Sequence, residues 1–203
     1  MIKAVLFDFG GVLSEAGKVG AIRGIFADVY GIDPITINEP EMRLKALKGQ
    51  ITDQEFLDYM NKRYASSRLV TKAGFIKTVD QMLRCEPVYQ LAKTLHQHGL
   101  KTGILSNIFT MSADSLKARG MYDNFDPVLL SCQVGYAKPE PEIYALAVRR
   151  LGVKPQQILF IDDQQHCLDP ARAMGMHVIL AQDPEQIVHD TRMLLQKENN
   201  LSL

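Results

Sequence analysis

The chain has 203 residues, 46% apolar and 23% charged, enough to bury a sizeable core as one domain or as a core with a small insertion. Its 23 basic side chains are matched by 23 acidic ones, so no long-range field draws it to nucleic acid or to an anionic membrane. The apolar start, residues 2–9, is too short to cross a bilayer and meets Asp8 before a signal-peptide core could form, which predicts a cytoplasmic protein.

That first segment reads as a buried strand, and it ends on VLFDFGGVL, where Asp8 runs into Gly10 and Gly11. Aspartate at a strand end is commonly a turn former and glycine makes the turn freely. The alternative is a carboxylate held at a strand tip for chemistry. Residues 10–100 separate this strand from the next, far more than an ordinary strand-to-helix loop needs. Ile22, Ile25, Phe26, Val29 and Tyr30 recur with helical spacing. Thr52-Asp53-Gln54-Glu55 is a capping box leading into Phe56, Leu57, Tyr59 and Met60. Residues 15–82 are therefore read as a helical insertion.

Four more apolar runs follow, at residues 101–106, 127–131, 157–161 and 177–181, each bounded by Gly, Pro, Asn or Asp and separated by segments of helical periodicity. Gly152 and Gly175 stand where helix C-terminal caps belong. Asp183-Pro184-Glu185-Gln186 predicts a capping box with proline in the first helical turn. The polar end, residues 197–203, predicts fraying. The strand-helix rhythm gives an α/β fold: a parallel sheet with helices on both faces.

In such sheets ligands bind beyond the carboxyl ends of the strands, and there the unusual residues fall. The first strand ends in Asp8, the second in Ser106-Asn107, the third leads into Lys138-Pro139, and the fourth ends in Asp162-Asp163. Two adjacent carboxylates repel each other unless a cation or hydrogen-bond donors compensate, so Asp162-Asp163 points to a metal. Cys85, Cys132 and Cys167 lack metal-ligand spacing, and three cysteines make no even disulfide framework. His166 beside Cys167 invites a Cys-His nucleophile or a zinc site, yet adjacent residues rarely converge on one atom. Asp8-Phe9-Gly10 imitates the DFG element of kinases without their glycine-rich or His-Arg-Asp loops.

This constellation resembles the haloacid dehalogenase-like hydrolase superfamily over nearly the whole chain. The run SCQVGYAKPEPEIY at 131–144, with FIDD and ARAMGM further on, is similar to the phosphatase branch that includes the N-terminal domain of soluble epoxide hydrolases. The resemblance implies a Rossmann-like three-layer α/β/α core, residues 1–14 and 83–203, with a small helical cap at 15–82 inserted after the Asp8 segment. It implies Asp8 as nucleophile, Ser106 and the amide of Asn107 as phosphate binders, and Lys138 as both catalytic and substrate-binding. It also implies Mg²⁺ held by Asp8, the Gly10 carbonyl, Asp162 and Asp163, and a small phosphorylated metabolite as substrate.

Two positions depart from the family pattern. The family usually has a second aspartate two residues after the nucleophile, acting as general acid and then as base; here it is Gly10. Relatives often have Asp or Asn where this chain has Cys167, a poor oxygen-type ligand, with Asp169 nearby as a candidate stand-in. Two rival readings therefore stay open. One is a 2-haloacid dehalogenase, whose halide leaves without a proton; the other is a non-catalytic protein that binds phosphate or a partner on the same fold. Oligomeric state and the identity of the metabolite are not legible.

Overall fold

The computed structural model describes residues 1–15, 21–65 and 68–201. Residues 16–20 and 66–67 of the predicted insertion lie outside the described residues, as do the side chains of Ile22 and Ile25 and residues 202–203 of the tail.

The chain runs β1 (Ala4–Phe7), α1 (Ala21–Tyr30), α2 (Pro40–Leu47), α3 (Asp53–Tyr64), α4 (Lys72–Val79), α5 (Glu86–Gln97), β2 (Lys101–Ser106), α6 (Thr110–Ala118), β3 (Val128–Leu130), α7 (Ser131–Val134), α8 (Pro141–Leu151), β4 (Ile158–Asp162), α9 (Gln165–Ala173), β5 (His177–Leu180) and α10 (Pro184–Asn199). The five strands form one parallel sheet in the order β3-β2-β1-β4-β5. The order reverses beside β1, the position where open α/β sheets bind ligands.

Alternate residues of β1 serve two cores, as the period of a strand requires. Val5 and Phe7 pack with Leu95 of α5, Leu116 of α6 and Leu195 of α10. Ala4 and Leu6 pack on the other face with Tyr144 of α8 and Leu168 of α9. β1 and β4 are wholly buried, which is why they read as unbroken apolar runs.

Helices α1 to α4 lie between β1 and α5. The segments that enter and leave this insertion run side by side: the Glu15 N–H donates to Leu83 O at 3.1 Å and the Cys85 N–H to Leu13 O at 2.9 Å. Phe26, Phe56 and Phe75 of the insertion form an aromatic cluster that Phe109 of the core joins, with ring centroids 4.9 Å apart for Phe56 and Phe109. The capping box at Thr52 is complete, with Thr52 and Glu55 each bonding the other's N–H.

Two expectations need correction. Asp183 caps α10 by accepting from the Gln186 N–H at 2.8 Å. The Gln186 side chain, however, takes the Gln182 N–H one residue further out, at 3.0 Å, so the predicted reciprocal box does not close. The tail is also not frayed through residue 199. Asn199 accepts from the Ile2 N–H at 2.7 Å and donates to the Ile2 carbonyl at 2.8 Å, tying α10 to the start of β1. No described helix is long and apolar enough to cross a membrane.

Candidate active site

The sheet delivers the four predicted groups to one place. Asp8 follows β1, and its N–H still bonds Ile161 O across the sheet at 2.8 Å. Lys138 reaches between Asp8 and the end of β4: its Nζ lies 3.0 Å from Asp8 Oδ1 and 2.6 Å from Asp162 Oδ2. Asp8, Ser106, Lys138 and Asp162 are all buried. The Phe9 N–H donates to Asp8 Oδ1 at 2.7 Å, and the Ser106 hydroxyl lies near enough to favour the ionised form of the same carboxyl slightly.

Burial shapes the protonation of this cluster. Removal from water pushes the Asp8 carboxyl from 3.8 up to about 6, against the opposing pull of Lys138. Burial alone would discharge Lys138, but Asp8 and Asp162 more than reverse it and hold the ammonium protonated well above its ordinary range. Asp163 is also raised, first by burial and then by the charge of Asp162.

The structure divides the predicted acidic pair. Asp162 Oδ2 accepts from Lys138 and Oδ1 accepts from the Gln164 N–H at 2.8 Å, so both oxygens are occupied. Asp163 Oδ1 is buried without a hydrogen-bond partner. Oxygens of Asp8, Asp162 and Asp163 lie within 4.8 Å of one another, a group that could hold a metal ion. Lys138 balances one of the three negative charges, and a divalent cation would balance the other two. Hard carboxylate oxygens and a buried acceptor left open suit Mg²⁺.

The glycines take different parts. Gly11 adopts φ +72°, and a Cβ there would sit 2.8 Å from Asp163 Oδ2; this carboxylate therefore needs glycine beneath it. Gly10 is exposed, and a Cβ built on it meets nothing within 4 Å.

The Asn107 side chain is already engaged. Its amide donates to Lys138 O at 2.7 Å and accepts from the Lys138 N–H at 2.8 Å, so that side chain is committed to the lysine's backbone. Any phosphate contact by Asn107 is left to its main chain. Ser131 is a site residue that the sequence reading passed over: its buried hydroxyl accepts from the Ile108 N–H at 2.9 Å, fixing the turn after Ser106. Its place at the end of the third apolar run was the available signal. Cys167 is buried, and burial pushes its thiol up to about 12, which leaves it neutral. Asp169 does not replace it, because its carboxylate is taken up by Gln165 and Arg172 on its own helix.

Comparison with known proteins gives a consistent picture. Residues 2–175 match the family model described as haloacid dehalogenase-like hydrolase. Pig bifunctional epoxide hydrolase 2 is 34% identical over 93% of this chain, which spans 38% of that protein's length. A Mycobacterium tuberculosis protein named phosphatase MT3486 is 29% identical over 88% of this chain and 87% of its own. The fold is shared with a HAD family enzyme of Bacteroides thetaiotaomicron, crystallised with magnesium and inorganic phosphate. The TM-score is 0.74 at 22% identity, covering 92% of this chain and 99% of that one.

Proposed function

The chain belongs to the haloacid dehalogenase-like hydrolases, and from that premise we propose that it is a Mg²⁺-dependent phosphatase of a small phosphorylated metabolite. The observation that carries this reading is the open Asp163 Oδ1 beside Asp8 and Lys138. A metal-free dehalogenase has no use for a buried acceptor of this kind. The phosphatase named among the relatives and the magnesium and phosphate of the Bacteroides enzyme support the same choice.

In this reading Asp8, the Gly10 carbonyl and Asp163 hold the metal, and Asp162 holds Lys138 instead. Residues 15–82 serve as the cap and residues 1–14 with 83–203 as the core. Bound Mg²⁺ supplies the positive charge that lets a carboxylate approach an anionic phosphate. Asp8 attacks phosphorus, the ester P–O bond breaks, and an aspartyl-phosphate forms. Ser106 and the Asn107 main-chain N–H hold the phosphoryl oxygens, and Lys138 offsets negative charge developing on them. Water then attacks phosphorus, releasing phosphate and restoring Asp8. With glycine at position 10, the departing oxygen takes its proton from solvent.

The test is a panel of phosphoesters assayed with Mg²⁺ and with EDTA. Turnover should require Mg²⁺. Sugar 1-phosphates, acyl phosphates and aryl phosphates should outrun simple alkyl phosphates, because good leaving groups need least protonation. Chloride release from 2-chloropropionate in EDTA would favour a dehalogenase, and phosphate binding without turnover would favour a binding protein.

The metal role of Asp163 has its own check. Gly11→Ala places a methyl against Asp163 Oδ2 in a left-handed backbone, which should lower stability by about 1 kcal/mol. It should also raise the Mg²⁺ concentration for half-maximal activity on the order of tenfold, as disturbed support of a metal ligand does. Unchanged Mg²⁺ dependence would remove Asp163 from the metal site.

A further inference from the structure

Lys138 sits on a short turn whose two ends are fastened. Asn107 grips the lysine's own N–H and carbonyl. One residue earlier, the Ala137 N–H donates to Glu140 Oε2 at 2.9 Å, and the Glu140 N–H returns to the Ala137 carbonyl at 2.8 Å. The other oxygen of Glu140, Oε1, accepts from Lys48 Nζ at 2.7 Å. Lys48 belongs to the insertion, at the C-terminal end of α2.

The approach is close on both sides of this pair. Gly49 lies so near the Cys132 carbonyl that a Cβ there would collide with that oxygen. The side chains of Lys48 and Glu140 are only 17% and 30% exposed, so their attraction is screened less than that of an open surface pair. The insertion thus presses on the segment that leads into Lys138, and the ion pair of Lys48 ends on the carboxylate that holds Ala137.

We propose that Lys48 is a positioning residue for Lys138: by fixing Glu140, it makes the placement of the catalytic lysine depend on the insertion being seated. This rests on the phosphatase reading for its kinetic consequence and on geometry alone for the physical link. Without Lys48, Glu140 can rotate away from Ala137, and the turn before Lys138 loses one of its fastenings. A misplacement of about 1 Å at a catalytic group can cost on the order of 10²-fold in rate. Asn107 and Asp162 still hold the lysine, so a smaller loss is expected.

The experiment uses the full chain and an aryl phosphate with Mg²⁺. Lys48→Met should lower kcat about tenfold and leave KM within about twofold, because Lys138 acts on charge that develops in the transition state. Lys48→Arg keeps the charge and should retain most of the activity. Lys48→Glu combined with Glu140→Lys restores attraction between insertion and core but provides no acceptor for Ala137, so kcat should stay low. Amide hydrogen exchange supplies a second readout: the peptide containing Ala137 should exchange faster in Lys48→Met and at the native rate in Lys48→Arg.

A raised KM at native kcat would overturn the proposal by making Lys48 a substrate contact. Recovery of kcat in the charge-exchanged chain would overturn it by making the pair a simple tether. Unchanged exchange at Ala137 would remove the physical link. If the native chain hydrolyses no phosphoester, the phosphatase reading fails, and amide exchange still decides whether Lys48 governs the turn.

Discussion

Asp8→Asn should abolish turnover of every phosphoester, by on the order of 10⁴ or more, while the protein stays folded. An amide oxygen is not a competent nucleophile toward phosphorus, and asparagine has the size of the carboxylate it replaces. The fold should tolerate the change because burial already disfavours the ionised form of Asp8, raising it from 3.8 to about 6. The sign follows from linkage. A carboxyl with a raised folded-state pKa is favoured in its neutral form, so its ionisation lowers stability as pH rises from about 4 to about 6. Asparagine is neutral throughout. Lys138 keeps Asp162 as its partner at 2.6 Å. Kinetics and a melting curve on the same preparation check this: lost activity at a native Tm supports Asp8 as nucleophile, and surviving activity removes it.

Gly10→Asp should do the opposite and create activity. A positioned general acid is typically worth about 10² to 10⁴ in rate, and the family usually has an aspartate at this position. The backbone accepts one, since a Cβ at Gly10 meets nothing within 4 Å and the residue is outside the left-handed region that favours glycine. For simple alkyl phosphates, kcat/KM should rise by about that factor. For aryl phosphates, whose leaving groups need little protonation, it should hardly move. Gly10→Asn is the control of equal size without an acid. A flat response on alkyl phosphates in Gly10→Asp would show that proton transfer does not limit this enzyme.

The legible parts of the site and the hidden parts differ for a physical reason. Strands buried on both faces print as apolar runs, so the polar residue that ends each run stands out, and Asp8, Ser106 and Asp162-Asp163 were visible this way. The split between the two acids falls at a strand end: Asp162 is the last residue of β4, on the side of Phe160, and Asp163 already lies in the bend that follows. Lys138 then sits 5.4 Å over the Phe160 ring and bonds Asp162. The clasp of Asn107 on Lys138 could not be read, since it joins residues 31 apart through a backbone path that only the assembled sheet defines. Lys48 and Glu140 are 92 residues apart, at the ends of two helices whose own periodicity is satisfied without the pair. Side chains of the insertion showed where helices form and carried no sign of what they would touch.

The grip of Asn199 on Ile2 bears on how this chain can be rearranged. It holds both ends of the described chain together at the start of β1, and Asp8 follows the other end of that strand. A domain joined to either end would hang from the amino ends of the strands, opposite the carboxyl ends where Asp8 lies, and leave the site clear. The same closeness of ends is what circular permutation requires: a short linker could join them, and the chain could be opened elsewhere with the order β3-β2-β1-β4-β5 intact.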